Sequence, residues 1–235
     1  MRLRNKNALV VGASGVLGGK LARELHEAGM NTYLAGRDRE ALAAVSSELG
    51  GAGHSTFEAI DTDSCRRVVE TAADSLAGLD LVLVATGVAA FGPTANAEDA
   101  VTEHLLTVNT LAPVVFGRAA LPHLEQRGGT LAVLSAILAD HPTAGMADYS
   151  ASKAALSAWL TATRREVRRR GVDVFDIRPP HVDSGLAERA LSGTPPRTPP
   201  ATDTDEVVET IVSGIRDSAH ELHYDLDEQQ LRLVF

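Results

Sequence analysis

Tyr149-Ser150-Ala151-Ser152-Lys153 pairs a phenol with an ammonium four residues later. On a helix that spacing sets both groups on one face, a turn apart. A free tyrosine ionises near pH ~10 and is a poor proton donor or acceptor at neutral pH. A fixed positive charge beside it favours the phenolate and lowers its pKa. Y-x-x-x-K is therefore a way to run acid–base chemistry with a phenol. The same spacing also arises by chance in helices without chemistry. Composition adds some weight: the 22 basic residues are 19 Arg and only three Lys, namely Lys6, Lys20 and Lys153. Arg is a planar fork and Lys a compact point charge, so they are not interchangeable in a tight site.

The N-terminus carries a second constellation. Asn7-Ala8-Leu9-Val10-Val11 is a short run of strand formers. Gly12-Ala13-Ser14-Gly15-Val16-Leu17-Gly18-Gly19 follows and leads into a helix with apolar Leu17, Leu21 and Leu25. Strand, glycine loop and helix form the context of a dinucleotide fingerprint. The glycines let backbone approach a pyrophosphate, and the helix start offers unpaired N–H groups. The plain alternative is a tight turn with no ligand.

Elements alternate along the chain in a way that can hold both features. Strands are expected near 7–11, 31–35, 54–60, 79–85, 130–135 and 172–177, with a short one near 220–225. Helices are expected near 16–28, 38–49, 64–77, 97–125, 148–170 and 203–218. This alternation predicts an α/β fold with a parallel sheet covered on both faces. Pro113 lies inside the fourth helix and predicts a kink or break there. The 235 residues suit one domain, 1–235.

These residues together resemble the short-chain dehydrogenase/reductase family, in the right order and over nearly the whole chain. Gly12, Ser14, Gly15, Val16, Leu17 and Gly18 resemble its cofactor loop. Asp61 resembles the acidic residue that contacts adenine. Gly87-Val88 with Phe91-Gly92-Pro93 resembles the segment after the fourth strand. Asn109 in Val108-Asn109-Thr110 resembles the family's helix asparagine, and Tyr149 with Lys153 fits the catalytic pair. Arg178-Pro179-Pro180-His181-Val182-Asp183-Ser184-Gly185 resembles the loop at the nicotinamide end. The resemblance implies a single-domain Rossmann-type fold, a doubly wound parallel sheet of six to seven strands flanked by helices. It also implies that residues 184–202 form a short substrate-side loop or lid. The low-complexity piece Ser192–Pro200 within it has a second reading, as a polyproline ligand for another protein.

Three departures stand out. The glycines are spaced G-x-x-G-x-x-G, with Val16 where the family often has glycine. Val84-Ala85-Thr86-Gly87 replaces the usual N-N-A-G. The family serine lies thirteen residues before the tyrosine, which here is Ala136, and the serine is Ser135. Adjacent strand residues point to opposite faces, so Ser135 faces the site only if the strand end bulges.

NADP(H) is the expected cofactor. An NAD-binding strand end needs an acidic residue for the ribose hydroxyls. Here the second strand ends Ala35-Gly36-Arg37-Asp38. Gly36 is not acidic, and Arg37 can pair with a 2′-phosphate through a charge-assisted contact. Ser14 adds a hydroxyl. Asp38 would repel that phosphate if it turned inward, but it reads as the cap of the next helix.

By resemblance, hydride passes between nicotinamide and a substrate carbon while Tyr149 gives or takes the oxygen-bound proton. Lys153 lowers the Tyr149 pKa and holds the nicotinamide ribose. Asn109 holds a water in a proton path. Pro179, Val182 and Ser184 border the carboxamide, and Gly87 lies against the cofactor. Losing one oxyanion donor costs on the order of 10²–10³ in rate. Three readings follow: a carbonyl–alcohol oxidoreductase in which Ser135, His141 or Thr143 replaces the serine, a weakened one, or an NADP-binding protein that acts as regulator or partner subunit.

Net charge of −9 argues against nucleic-acid binding. The run Arg164, Arg165, Arg168, Arg169, Arg170 reads as a solvated helix end. A lone Cys65 excludes an internal disulfide and suits a cytoplasmic, reducing setting. No Cys/His ligand pattern implies a metal. No secretory start or bilayer-spanning run is apparent, so no membrane is expected. A small-molecule carbonyl or alcohol is the expected substrate. Leu105, Leu106, Ala155, Leu156, Trp159 and Leu160 are the candidate apolar face of a homodimer or homotetramer.

Overall fold

A computed structural model describes residues 1–197 and 199–235. The elements run β1 (Asn7–Val11), α1 (Val16–Glu27), β2 (Asn31–Gly36), α2 (Arg39–Glu48), β3 (His54–Thr56), α3 (Thr62–Leu76), β4 (Leu81–Val84) and α4 (Asp99–Leu106). They continue with α5 (Ala112–Glu125), β5 (Thr130–Leu134), α6 (Ala147–Val167), β6 (Asp173–Ile177), α7 (Thr204–Asp217), β7 (Glu221–Asp225) and β8 (Gln230–Val234). One sheet takes the order β3-β2-β1-β4-β5-β6-β7-β8. All neighbours are parallel except β7 and β8.

Alternation along the central strands divides the core. Leu9 and Val11 of β1 face α3, α5 and α6, among Val69, Phe116 and Leu156. Ala8 and Val10 face α1, α2 and α7, among Leu21, Leu42 and Ile211. Every residue of β1, β4 and β5 is buried, as expected of a sheet covered on both faces. The strand order reverses between β1 and β4, which opens a crevice at their carboxyl ends.

Among the described residues the sheet has eight strands, one more than the six to seven expected. The missed β8 pairs antiparallel with β7 after a turn in which Asp225 accepts from the Asp227 and Glu228 amides, both at 3.0 Å. Its signal was the alternation of exposed Gln230 and Arg232 with half-buried Leu231 and Leu233. β3 is only three residues long, because the chain turns back at Glu58–Asp61.

The expected break near Pro113 is a π-helical turn, Thr107–Leu111, between α4 and α5. Proline has no N–H for the carbonyl four residues back, which is that of Asn109. The stretch Asp99–Glu125 is long and apolar enough to cross a bilayer by length and composition, contrary to the sequence expectation. Here Leu105, Ala112, Phe116, Ala120 and Leu124 of that stretch are fully buried in the protein's own core.

Candidate active site

The glycine loop closes over the end of β1. Gly12 and Ala13 amides donate to the Ala35 carbonyl at 2.7 and 2.9 Å. A side chain at Gly18 would put its Cβ 2.2 Å from the Gly12 carbonyl oxygen, so the helix packs on the loop only with glycine there. Gly15 caps α1 without a side-chain hydrogen bond. The first N–H groups of α1 are therefore left for an external acceptor. Thr86, just past β4, lines the same cleft, and its buried hydroxyl has no partner among the described residues.

Gly36 is tight against Ser14: a Cβ there would lie 2.5 Å from Ser14 Oγ. An acidic side chain therefore has no room at 36. Arg37 is exposed beside it. Asp38 caps α2, accepting from the Glu40 and Ala41 amides at 3.0 Å each, and so turns away from the strand end. Asp61 caps α3 through the Asp63 and Ser64 amides. The Ser64 amide above all holds its carboxyl below the usual range.

A cleft of about 430 Å³ runs from Gly15–Gly18 past Ala85–Gly87 to Tyr149, Lys153 and the loop beyond β6. It takes in Pro179, Val182 and Ser184. Gly12, Ser14, Arg37 and Asp61 lie outside its walls. The 184–202 segment is pinned over it: Leu191 N donates to Ala89 O at 2.8 Å, Phe91 N to Ser192 O at 3.0 Å, and Thr202 N to His181 O at 2.8 Å. Pro195 and Pro196 face the cleft, which favours a wall of the pocket over a free polyproline ligand. Thr198 of this segment lies outside the described residues.

Tyr149 and Lys153 both face the cleft from α6 and are buried. Burial pushes the phenol up to about 12. Burial pushes the ammonium down to about 8, opposed by the negative charge of Asp176. The expected lowering of the phenol by Lys153 is not seen. The amine instead donates to the Leu134 carbonyl at 3.2 Å. Gly87 adjoins Lys153 and Asn109, since a Cβ there would lie 3.5 Å from both Lys153 Nζ and Asn109 Oδ1.

Asn109 is fully buried in the π-helical turn. Its Oδ1 accepts from Val88 N at 2.9 Å, and its Nδ2 donates to Val88 O at 2.9 Å and Ser152 Oγ at 3.0 Å. The side chain is thus spent on a clamp. Its main-chain carbonyl cannot accept from residue 113, because proline has no N–H.

Ser135 requires a correction as catalytic hydroxyl. It donates to Asp176 Oδ1 at 2.5 Å and lies against the Ile177 carbonyl. Ala136, the next residue, packs with Tyr149 and Leu105. The alternation of side chains persists to the strand end, without the bulge that would swing Ser135 round. His141 and Thr143 are exposed outside the cleft, and the Thr143 hydroxyl donates to the His141 carbonyl. Ser135 borders the cleft with its hydroxyl turned to Asp176, while His141 and Thr143 stand outside it. Cys65 is buried and its thiol pushed up to about 11, chiefly by burial, so it is inert.

Sequence reasoning missed Thr86 and Asp176. Asp176 did leave a signal: a carboxylate within a strand that had to be buried on both faces. Among the described residues no group of three or more His, Cys, Asp or Glu is placed to hold a metal.

A doubly wound sheet with a glycine loop at its switch point defines a Rossmann-type protein. The short chain dehydrogenase family profile matches residues 6–194, and the chain belongs to that family. It is 29% identical over 190 residues to an uncharacterised oxidoreductase of Staphylococcus aureus, covering 78% of this chain and 81% of the relative. Among solved structures it is similar to a short chain dehydrogenase from Burkholderia cenocepacia in complex with NADP, at 26% identity, TM-score 0.81 and 92% coverage of both chains. An alcohol dehydrogenase from the archaeon Thermococcus sibiricus complexed with 5-hydroxy-NADP shares the fold at 20% identity, TM-score 0.83 and 91% coverage of both chains.

Proposed function

We propose that this protein is an NADP(H)-dependent oxidoreductase that interconverts a carbonyl and an alcohol. The observation that carries the reading is one cleft lined by the glycine loop at one end and Tyr149 with Lys153 at the other. The residues fit a dinucleotide: the free α1 amides and the unpartnered Thr86 hydroxyl await acceptors. Gly36, Ser14 and Arg37 favour the 2′-phosphorylated form, and the Burkholderia relative holds NADP. When bound, the nicotinamide supplies or accepts the hydride.

The chain's own part is then as follows. Gly15, Val16, Leu17 and Gly18 cradle the phosphates, and Arg37 pairs with the 2′-phosphate. Gly87, Pro179, Val182 and Ser184 border the nicotinamide end, and Asp61 serves the adenine only by sharing its cap. Lys153 holds the nicotinamide ribose beside the phenol. Tyr149 moves the proton at the substrate oxygen. Asn109 fixes the α4–α5 turn and offers its carbonyl to a relay water. Ala89, Phe91, Leu138, Met146 and Leu186 make the substrate end apolar, which suits a small carbonyl compound with a hydrocarbon body.

Ala136 favours a second reading, an NADP-binding protein of little turnover, because the position of the serine holds no hydroxyl and Ser135 turns its own to Asp176. Isothermal titration separates cofactor from chemistry. The proposal expects NADPH to bind at least tenfold tighter than NADH, about 1.4 kcal/mol. It expects Lys153→Ala to weaken NADPH. Equal affinities would remove the NADP assignment, and no binding of either would remove the function.

We further propose a closed dimer or tetramer. Leu106 and Leu111 are 41% and 44% exposed on α4 and the π-helical turn. Leu105, Leu156 and Leu160, expected on that face, are instead buried in the monomer core.

A further inference from the structure

Behind Lys153 lies a buried charge network that the proposed chemistry does not use. Asp176 of β6 has no exposed surface. Its Oδ1 accepts from Ser135 Oγ and its Oδ2 from Ser157 Oγ, both at 2.5 Å. Arg178 Nε lies 3.3 Å from Oδ2, without hydrogen-bond alignment. Arg178 is itself shared: it grips Asp140 through Nη1 at 2.7 Å and pairs with Glu221 of β7. Glu221 in turn pairs with Arg164 of α6 at 2.9 Å.

Two facts place this carboxylate at the lysine. Lys153 and Ser157 are four residues apart and share one face of α6. Ser157 bonds Asp176, so the lysine lies one helical turn from the carboxylate's donor. From the sheet side, Lys153 Nζ bonds the Leu134 carbonyl and the next residue, Ser135, bonds Asp176. We propose that Asp176 is a positioning residue for Lys153: a buried counter-anion that keeps the ammonium charged and held at the end of β5, facing the cleft.

The need for it follows from burial. A lysine amine sealed from water tends to lose its proton, because burial disfavours the charged form. Here burial already brings Lys153 down to about 8 with Asp176 in place. Without that anion a substantial fraction of the amine would be neutral near pH 7. A neutral amine could neither stabilise a phenolate on Tyr149 nor pair with an anionic cofactor. Ser135 thus serves the site from behind, by holding the carboxylate rather than the substrate. The titratable and charged groups packed around the lysine are Tyr149 and Arg164 on α6, Asp176 and Arg178 around β6, Glu221 on β7 and Asp140 after β5; His181, Asp183, Glu188 and Arg189 line the same cleft from the loop after β6. Burial pushes the Asp176 carboxyl up, and the Ser135 and Ser157 hydroxyls and the neighbouring Arg178 pull it back; Arg178 is shared with Asp140 and Glu221, and Asp176 is the anion that raises Lys153.

The composition offers a direct test. With only three lysines, ¹³C-lysine labelling gives three side-chain signals, and Lys153→Met assigns the one of interest. Asp176→Asn should lower the Lys153 midpoint by at least one pH unit, a tenfold shift, while Lys6 and Lys20 stay put. Ser157→Ala loosens the same packing but keeps the carboxylate, and should move the midpoint far less. An unchanged midpoint in Asp176→Asn, or an equal shift in Ser157→Ala, overturns the proposal. If Asp176→Asn does not fold, Asp176→Val carries the same expectation, since valine suits a buried strand position beside Val174. In the wild type, a ¹³C-aspartate signal showing Asp176 protonated at pH 7 would also overturn it. The catalytic value of the charge rests on the oxidoreductase reading, but the titration does not: a protein that shifts as expected yet ignores NADPH would spare this inference and sink that reading.

Discussion

The two ends of the cleft are built by different means. At the nucleotide end the work falls to backbone: amides at the start of α1, and close approaches that admit only Gly18 and Gly36. At the catalytic end it falls to side chains held by other side chains: Tyr149 against Ala136, Lys153 against the Leu134 carbonyl, and Asp176 behind them. A backbone site tolerates change in everything but its glycines. A side-chain site can lose one member, as at Ala136, and keep its scaffold. Both ends depart from the family pattern, at Val16 in the glycine loop and at Ala136 beside Tyr149, but each keeps its scaffold.

The sharpest way to break this contrast is Gly18→Val. The clash with the Gly12 carbonyl should abolish measurable NADPH binding by titration calorimetry, although α1 is otherwise unchanged; retained binding would contradict a backbone-built site. Ala136→Ser probes the other end. If the missing donor limits turnover, restoring it should raise kcat by about 10²-fold or more on a reactive carbonyl, with NADPH affinity unmoved. A neutral result would mean that the proton and oxyanion chemistry has been rearranged.

Smaller effects sharpen the picture. Arg37→Ala should weaken NADPH roughly tenfold, as expected for loss of a charge-assisted phosphate contact, and leave NADH nearly unchanged. Thr86→Val keeps the shape but removes the unpartnered hydroxyl, and should weaken both cofactors several-fold; Thr86→Ser should restore them.

Stability against pH gives a readout without any ligand. The Lys153 pKa is lowered by folding, so the native state disfavours its charged form. That penalty, on the order of 3 kcal/mol, is full below pH 8 and disappears as pH rises toward 10.5. Tyr149 works oppositely: its raised pKa makes stability fall as pH climbs above 10. Urea midpoints should therefore rise between pH 8 and 10 and decline beyond, and Lys153→Met should flatten the rise.

What the chain discloses on its own follows the same division. The buried strands, the glycine loop, the Asp38 cap and the Y-x-x-x-K pair are local patterns of period, spacing and turn chemistry, and each is legible. The fate of Ser135 is not, because it depends on register: β5 pairs with β6 so that Val133 meets Asp176 and Leu134 meets Ile177. Only that alignment brings Asp176 under the Ser135 hydroxyl. The break in the fourth helix was expected from Pro113, but its form as a π-helical turn, with Asn109 clamped to Val88, needs a segment twenty-one residues away. β8 escaped because its alternation is short and its apolar residues are only half buried.

The account's central claim is that Tyr149 moves a proton while NADPH gives up its hydride in this cleft. The most direct measurement follows oxidation of enzyme-bound NADPH by its absorbance, against a panel of ketones and aldehydes, in the wild type and in Tyr149→Phe. The account predicts oxidation by at least one apolar carbonyl, lost by 10²-fold or more in Tyr149→Phe with NADPH affinity preserved. Tight NADPH binding with no oxidation across the panel, or equal oxidation by both proteins, would contradict it.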